Sequence, residues 1–170
     1  YTLIGSTAVC LVFNFIIYFH AHYINSIITD PSANWLNARK LCKFVRECKL
    51  TDTKYFLLGN GSNILVDDNG MDCAVIKLDG DFKEIRMIDS ETVYCGAGAT
   101  LAALCKFALN NSLSGLEFAW GIPGSVGGAA FMNAGAYGGE MKDVLYKCEH
   151  IDKNGDRGFL ENDDLKLSYR

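Results

Sequence analysis

Apolar and polar positions change period along this chain. Trp35, Ala38, Leu41, Cys42, Val45 and Cys48 recur at helical spacing, with Arg39, Lys43, Arg46 and Glu47 between them. That spacing predicts an amphipathic helix over 32–48, started by Asp30-Pro31-Ser32. Short apolar runs follow at 55–58, 64–66, 74–78, 82–88 and 92–95. They read as strands, cut by Gly59-Asn60-Gly61, Asp67-Asp68-Asn69-Gly70 and Asp79-Gly80-Asp81. Leu101, Leu104, Cys105, Ala108 and Leu109 then fit i, i+3, i+4, i+7, i+8, which predicts a second helix with these five on its buried face. A glycine-dense run occupies 121–139. Residues 144–151 alternate as a strand, Asn154-Gly155 signals a hairpin turn, and the chain returns from Asp156. Strand, helix, strands, helix, glycine loops and hairpin in that order predict an α+β architecture of two lobes, 1–80 and 81–170, meeting near 78–88.

The start of the chain breaks this pattern. No charged residue occurs from Tyr1 to Thr29. The stretch is about as long as a membrane helix. Asn14, His20, His22 and Asn25 interrupt it, however, and no Lys/Arg flank sets an orientation. Three readings stay open for this uncharged stretch: buried strands or an insertion, a membrane segment, or an irregular stretch of sequence. His20 and His22 alternate as on a strand, but no carboxylate or Cys lies near them, and no metal site is expected.

Composition narrows the class. With 170 residues, 49% hydrophobic and 21% charged, the chain is globular rather than disordered or fibrous. Net charge is −4 and no Lys/Arg-rich run occurs, which argues against a nucleic-acid partner. The seven cysteines show no CxxC spacing, so a zinc site or redox dithiol is not expected. Their odd number and apolar neighbours predict buried, reduced thiols in a cytoplasmic protein. The chain begins at Tyr1 and ends at Arg170 within a polar stretch, and reads as a fragment.

The chemistry lies in three glycine loops. The first is Gly59, Asn60, Gly61, Ser62 and Asn63, directly after a strand. The second is Gly96-Ala97-Gly98-Ala99-Thr100, between a strand and a helix. The third runs from Gly121 to Gly139. Glycine allows close approach of backbone to ligand, and successive amides in such turns converge on anions. Three such loops predict a large dinucleotide held by backbone. Neither standard motif fits. Ile64 and Leu101 stand where the Rossmann fingerprint needs its third glycine, and no Gly-Lys-Ser/Thr marks a Walker loop.

Three segments carry a resemblance: YFLLGNGSNILVDDNG at 55–70, GAGATLAALCKFALNNSLSGLEFAWGIPGSVGGAAFMNAGAYGGEMKDV at 96–144, and the closing Ser168-Tyr169-Arg170. Over roughly residues 33–170 the chain resembles the UDP-N-acetylenolpyruvoylglucosamine reductases, also called UDP-N-acetylmuramate dehydrogenases. The resemblance implies the two-lobed FAD-binding fold of vanillyl-alcohol-oxidase-type flavoproteins, with non-covalent FAD between the lobes. It implies that loop 59–63 cradles the pyrophosphate. The remaining cofactor-lining residues it implies are Gly121, Ile122, Pro123, Gly124, Ser125, Gly127, Gly128, Asn133, Ala134, Gly135, Ala136, Tyr137 and Gly138. NADPH is then the hydride donor and an enolpyruvyl UDP-sugar the substrate, in cytoplasmic peptidoglycan synthesis and so in cell-wall biogenesis, cell shape, cell cycle and division. Tyr169 and Arg170 match the family's catalytic Tyr-Arg pair, whose guanidinium faces the enolpyruvyl carboxylate.

The chain departs from the family in three places. Ser6 and Thr7 replace the Gly-Pro of the family's opening FAD-contacting stretch, although Thr2, Ile4, Gly5 and Ala8 align with it. Residues 13–29 look like an insertion. The family's proton-donor Ser and catalytic Glu belong to a C-terminal substrate domain that this sequence does not contain, so full turnover by these residues alone is not expected. Two alternatives remain: a flavin oxidase of the same fold family, or a non-catalytic FAD-binding remnant. Many such oxidases attach FAD through a His in the first glycine loop, where this chain has Asn60 and Ser62.

Overall fold

The computed structural model describes residues 2–4 and 34–168, with side chains from Ala38 to Ser168. The readings made for 13–29, for Cys10, His20 and His22, and for Tyr169 and Arg170 lie outside the described residues. The fold is α+β. Its contacts divide the chain into two compact units, Tyr1–Gly80 with Ile151–Asp156, and Asp81–His150 with Arg157–Arg170.

The first unit contains β1 (Thr2–Ile4), α1 (Asn34–Leu50), β2 (Tyr55–Leu58), β3 (Ile64–Val66) and β4 (Ala74–Lys77). Cys42, Val45 and Cys48 are buried on α1, as their spacing predicts. Leu41 and Phe44 of the same helix pack on Ile76 of β4, which is 1% exposed. β2 and β4 pair in parallel from Tyr55↔Ala74 to Leu58↔Lys77, and β1 pairs in parallel with β3. The Asn154-Gly155 turn belongs to this unit. Asp152 Oδ1 accepts the amides of Asn154 and Asp156, both at 2.8 Å. The turn is tied to α1 by Arg46 Nη2–Asp156 Oδ1 at 2.8 Å and Lys49 Nζ–Asn154 Oδ1 at 2.6 Å. Gly155 has φ +77° and sits where a Cβ would lie 2.5 Å from the Cys42 carbonyl oxygen, so no side chain is tolerated there.

The second unit begins with β5 (Ile85–Met87) and β6 (Val93–Cys95), an antiparallel pair in register Ile85↔Cys95. Then come α2 (Leu101–Asn110), α3 (Val126–Phe131), the short strands β7 (Gly135–Ala136) and β8 (Gly139–Glu140), the paired β9 (Lys147–Ile151) and β10 (Arg157–Glu161), and α4 (Asn162–Leu165). Leu101, fully buried, centres a core with Leu104, Cys105, Phe118, Ala119, Val126, Ala129, Ala134 and Met141.

The structure corrects several expectations. Leu109 is 70% exposed rather than part of the core face. At 100° per residue it stands about 80° from Leu101, on the edge of the stripe. The strand expected over 82–88 shrinks to Ile85–Met87, preceded by a 3₁₀ turn at Gly80–Lys83. The carbonyls of Phe82 and Glu84 are engaged by the amides of Gly98 and Gly96, both at 2.8 Å, and not by a neighbouring strand. The strand expected over 144–151 starts at Lys147, because a 3₁₀ turn at Met141–Asp143 receives the amides of Val144 and Leu145 on the Met141 carbonyl. Cys42, Cys48 and Cys105 are buried free thiols, whereas Cys73, Cys95 and Cys148 are only half-buried. Among the described residues, no helix is long and apolar enough to cross a membrane.

Candidate functional site

The first glycine loop joins β2 to β3, and β3 lies beside β1. Gly61 takes φ +72°, and a Cβ added there meets only Leu58 and Ile64 side-chain atoms at 3.9 and 4.0 Å. The backbone conformation, not crowding, requires glycine at this position. Asn60, Gly61 and Ser62 are exposed; Gly59 and Asn63 are half-buried.

The second and third loops are stitched to each other. Thr100 and Ser125 form an antiparallel bridge. The Leu101 amide donates to the Gly124 carbonyl at 3.0 Å, Val126 to Ala99 at 2.8 Å, and Gly127 to Ala97 at 2.9 Å. Each bridge residue also caps a helix. Thr100 Oγ1 accepts the Ala103 amide at 3.1 Å, and Ser125 Oγ accepts the Gly128 amide at 3.2 Å. A Cβ at Gly127 would lie 2.7 Å from Ala97 Cβ, so this glycine permits close contact of the two loops. The polar groups of Gly124, Ser125, Gly127 and Gly128 named here thus serve the framework. This includes all three leading amides of α3.

The outer part of the third loop is different. Gly121 is exposed, follows the 59% exposed Trp120, and has an ordinary negative-φ backbone. A Cβ built on it meets nothing within 4 Å. Neither conformation nor packing asks for glycine there. Pro123 is exposed and Ile122 half-buried beside it. Further on, β7 and β8 pair as Gly135↔Glu140 and Ala136↔Gly139, which leaves Tyr137 and Gly138 as a two-residue turn. Both have positive φ, 53° and 87°, as a type I′ turn demands. Tyr137 is 95% exposed, and the space around a Gly138 Cβ is open. Asn133 and Ala134, also expected to line the cofactor, are buried at the base of this hairpin.

Sequence reasoning missed Glu140. Its Oε2 accepts Asn133 Nδ2 at 2.5 Å, and its Oε1 pairs with Lys142 Nζ at 2.5 Å. That ion pair holds the Lys142 ammonium above its usual range. The signal available was local: Glu140 is the first charged residue after Glu117 in the chain.

Cys95 enters the second loop. Burial pushes its thiol up to about 12, and Sγ donates to the Gly96 carbonyl at 3.7 Å. The folded value lies above the unfolded one, near 8.5. The stability it contributes is therefore whole below about pH 8.5 and is lost as pH rises toward 12. Urea unfolding at pH 8 and pH 11 is expected to show a drop in stability that Cys95→Ala reduces. An unchanged drop in that variant would show that Cys95 is not its source.

A model of the FAD-binding domain family matches residues 37–157. The chain belongs to the FAD-binding domain family. Within it, this FAD-binding domain is 48% identical over 126 residues to the UDP-N-acetylenolpyruvoylglucosamine reductase of Alkaliphilus metalliredigens, covering 74% of the chain and 41% of that protein. It is 42% identical over 156 residues to the enzyme of the same name from Clostridium perfringens, covering 91% of the chain and 49% of that protein. The chain thus spans less than half the length of these curated relatives. The crystal structure of UDP-N-acetylenolpyruvylglucosamine reductase from Thermus caldophilus matches with TM-score 0.64 and 38% identity, over 78% of this chain and 46% of that one. The family model and the structural match bear out the α+β FAD-binding fold expected from the sequence.

Proposed function

We propose that this chain is the FAD-holding part of a UDP-N-acetylenolpyruvoylglucosamine reductase, working in cytoplasmic peptidoglycan synthesis with NADPH as hydride donor. The observation that carries the reading is Gly121, an exposed glycine with no internal need for glycine, inside the segment that matches the FAD-binding family. A large aromatic cofactor brought against this backbone supplies the missing reason. Gly138 and Gly61 leave similar room. The donor set also suits a phosphate-bearing group, because Asn60, Gly61 and Ser62 of this glycine loop are exposed and two of them carry polar side chains.

In this reading Gly59, Asn60, Gly61, Ser62 and Asn63 hold the pyrophosphate. Gly121, Ile122, Pro123, Ala136, Tyr137 and Gly138 lie against the rest of the cofactor. Gly124, Ser125, Gly127, Gly128, Asn133, Ala134 and Gly135 hold that surface in place. FAD bound here supplies the hydride transfer by which such an enzyme reduces an enolpyruvyl ether. Arg170 is proposed to bind the substrate carboxylate through its permanently charged guanidinium, with Tyr169 beside it in the chain. No His stands in the first loop, so attachment is non-covalent.

The test is direct. The purified chain is expected to show the visible bands of oxidised flavin, or to acquire them on titration with FAD, and to release the flavin into the supernatant on acid precipitation. A colourless protein that takes up no added FAD overturns the reading. Flavin that stays with the precipitate points to a covalent oxidase instead.

A further inference from the structure

The hairpin that carries Tyr137 and Gly138 has no large apolar residue of its own in its two short strands. What fixes it is polar and lies at its base. Asn133 is 3% exposed and takes a left-handed φ of 47°. Its side chain is used on both sides: Nδ2 donates to Glu140 Oε2 at 2.5 Å, and Oδ1 accepts the Lys142 amide at 2.9 Å. Glu140 has an 18% exposed side chain. Its second oxygen takes Lys142 Nζ, and its own amide donates to Asp143 Oδ2 at 2.9 Å. The backbone bonds Ala134 N–Ala129 O at 2.9 Å and Met141 N–Ala134 O at 3.0 Å close the same base. On the far side, Gly139 lies flat on Phe118, where a Cβ would come within 2.9 Å of three of its atoms. Phe118 belongs to the turn Glu117–Ala119 that leads into Trp120 and Gly121. The polar base thus holds the strands that carry Gly138, and the packing of Gly139 on Phe118 joins it to the turn that leads to Gly121.

We propose that Glu140, acting through Asn133, is a positioning residue for FAD. It holds the Tyr137–Gly138 tip and the Gly121 surface in their binding arrangement before the cofactor arrives. The inference rests on the FAD reading above. Asn133, which the family resemblance places among the cofactor-lining residues, turns its side chain inward to Glu140 and Lys142. A hairpin already ordered loses less conformational freedom on binding, and that saving appears as affinity.

The pair can be inverted. In N133D two carboxylates face each other across a 2.5 Å contact of the network, and the tip is expected to shift. In E140Q the Asn133 bond survives, but the ion pair to Lys142 is lost. In N133D/E140Q the amide at 140 donates to the carboxylate at 133, its oxygen accepts from Lys142 Nζ, and the carboxylate at 133 still accepts the Lys142 amide. The 133–140 bond is kept with donor and acceptor exchanged, the Lys142 ion pair becomes a hydrogen bond to a neutral oxygen, and the net charge is unchanged.

FAD titration and the visible circular dichroism of the bound flavin are measured for all four chains, with the melting temperature of each apo chain. N133D is expected to weaken FAD binding by about tenfold and to change the flavin dichroism, with the double variant returning to within about threefold of wild type. Should N133D not fold, the affinity and dichroism of E140Q and of the double variant decide. Variants that melt lower but bind FAD within twofold, with wild-type dichroism, overturn the positioning role and leave a structural one. Loss of affinity without recovery in the double variant overturns it as well. A wild-type chain that binds no FAD overturns both this inference and the cofactor reading beneath it.

Discussion

Gly121→Val is expected to weaken FAD binding by about 100-fold and to leave the melting temperature of the apo chain unchanged. The two halves of this outcome come from one observation. A Cβ at 121 meets nothing of the protein within 4 Å, and the backbone φ there is not in the left-handed region. The folded apo chain therefore meets no clash at the new Cβ. A ligand lying on that backbone does sense it, because a branched side chain fills the layer the ligand occupies. Overfilling a packed contact costs about 1–3 kcal/mol, and each 1.4 kcal/mol is a tenfold loss of affinity. Parallel FAD titration and thermal melts of wild type and variant check this. Equal affinity would show that the cofactor does not approach Gly121, and a lowered melting temperature would show a packing role that the structure does not contain.

Gly96→Ala is expected to do the reverse. A Cβ at 96 would lie 2.1 Å from the Phe82 carbonyl oxygen and 2.5 Å from its carbon, both backbone atoms. No rotamer relieves such a clash, so the second loop must move away from the Gly80–Lys83 turn. That movement stretches the Gly96 N–Glu84 O and Gly98 N–Phe82 O bonds. It also disturbs Ala99, which is buried in the core and accepts the Val126 amide. Overpacking at about 1–3 kcal/mol and two weakened hydrogen bonds at about 0.5–1.5 kcal/mol each place the loss near 4 kcal/mol. A domain of this size has about 5–15 kcal/mol in total. The melting temperature is expected to fall by more than about 10 °C. Urea unfolding compared with wild type tests this, and a midpoint unchanged within error would refute the close approach.

The contrast between these two glycines shows what a one-dimensional reading lacks. Both stand in glycine-rich loops, and both were reasonable candidates to touch a cofactor. Gly96, Gly127 and Gly139 are small because another part of the protein comes within 3 Å of where their Cβ would be. Gly121 and Gly138 face open space. Local composition is the same in either case. The difference is set by neighbours distant in the chain, such as Phe82 for Gly96 and Ala97 for Gly127. Asn133 makes the same point with a polar residue. A buried Asn at positive φ is useful wherever the backbone turns sharply, and only its partners Glu140 and Lys142 reveal that its side chain points inward.

The amino-acid order alone determined the periodic elements and the family. Helical spacing placed Cys42, Val45 and Cys48 on one face of α1, and Leu101, Leu104, Cys105 and Ala108 on one face of α2. The glycine segments at 55–70 and 96–144 carried the resemblance that the family match over 37–157 supports. These properties are local, written in residues near one another along the chain. Tertiary structure alone decided that Leu109 faces outward and that the 82–88 run breaks into a turn and a short strand. It also decided that α3 forms inside the third loop, and which glycines are crowded by another segment while others face open space. Apart from Leu109, which lies at the edge of its helix stripe, each of those outcomes depends on which groups meet across long sequence separations. Hydrogen bonding and excluded volume act on positions in space, and order along the chain does not record them.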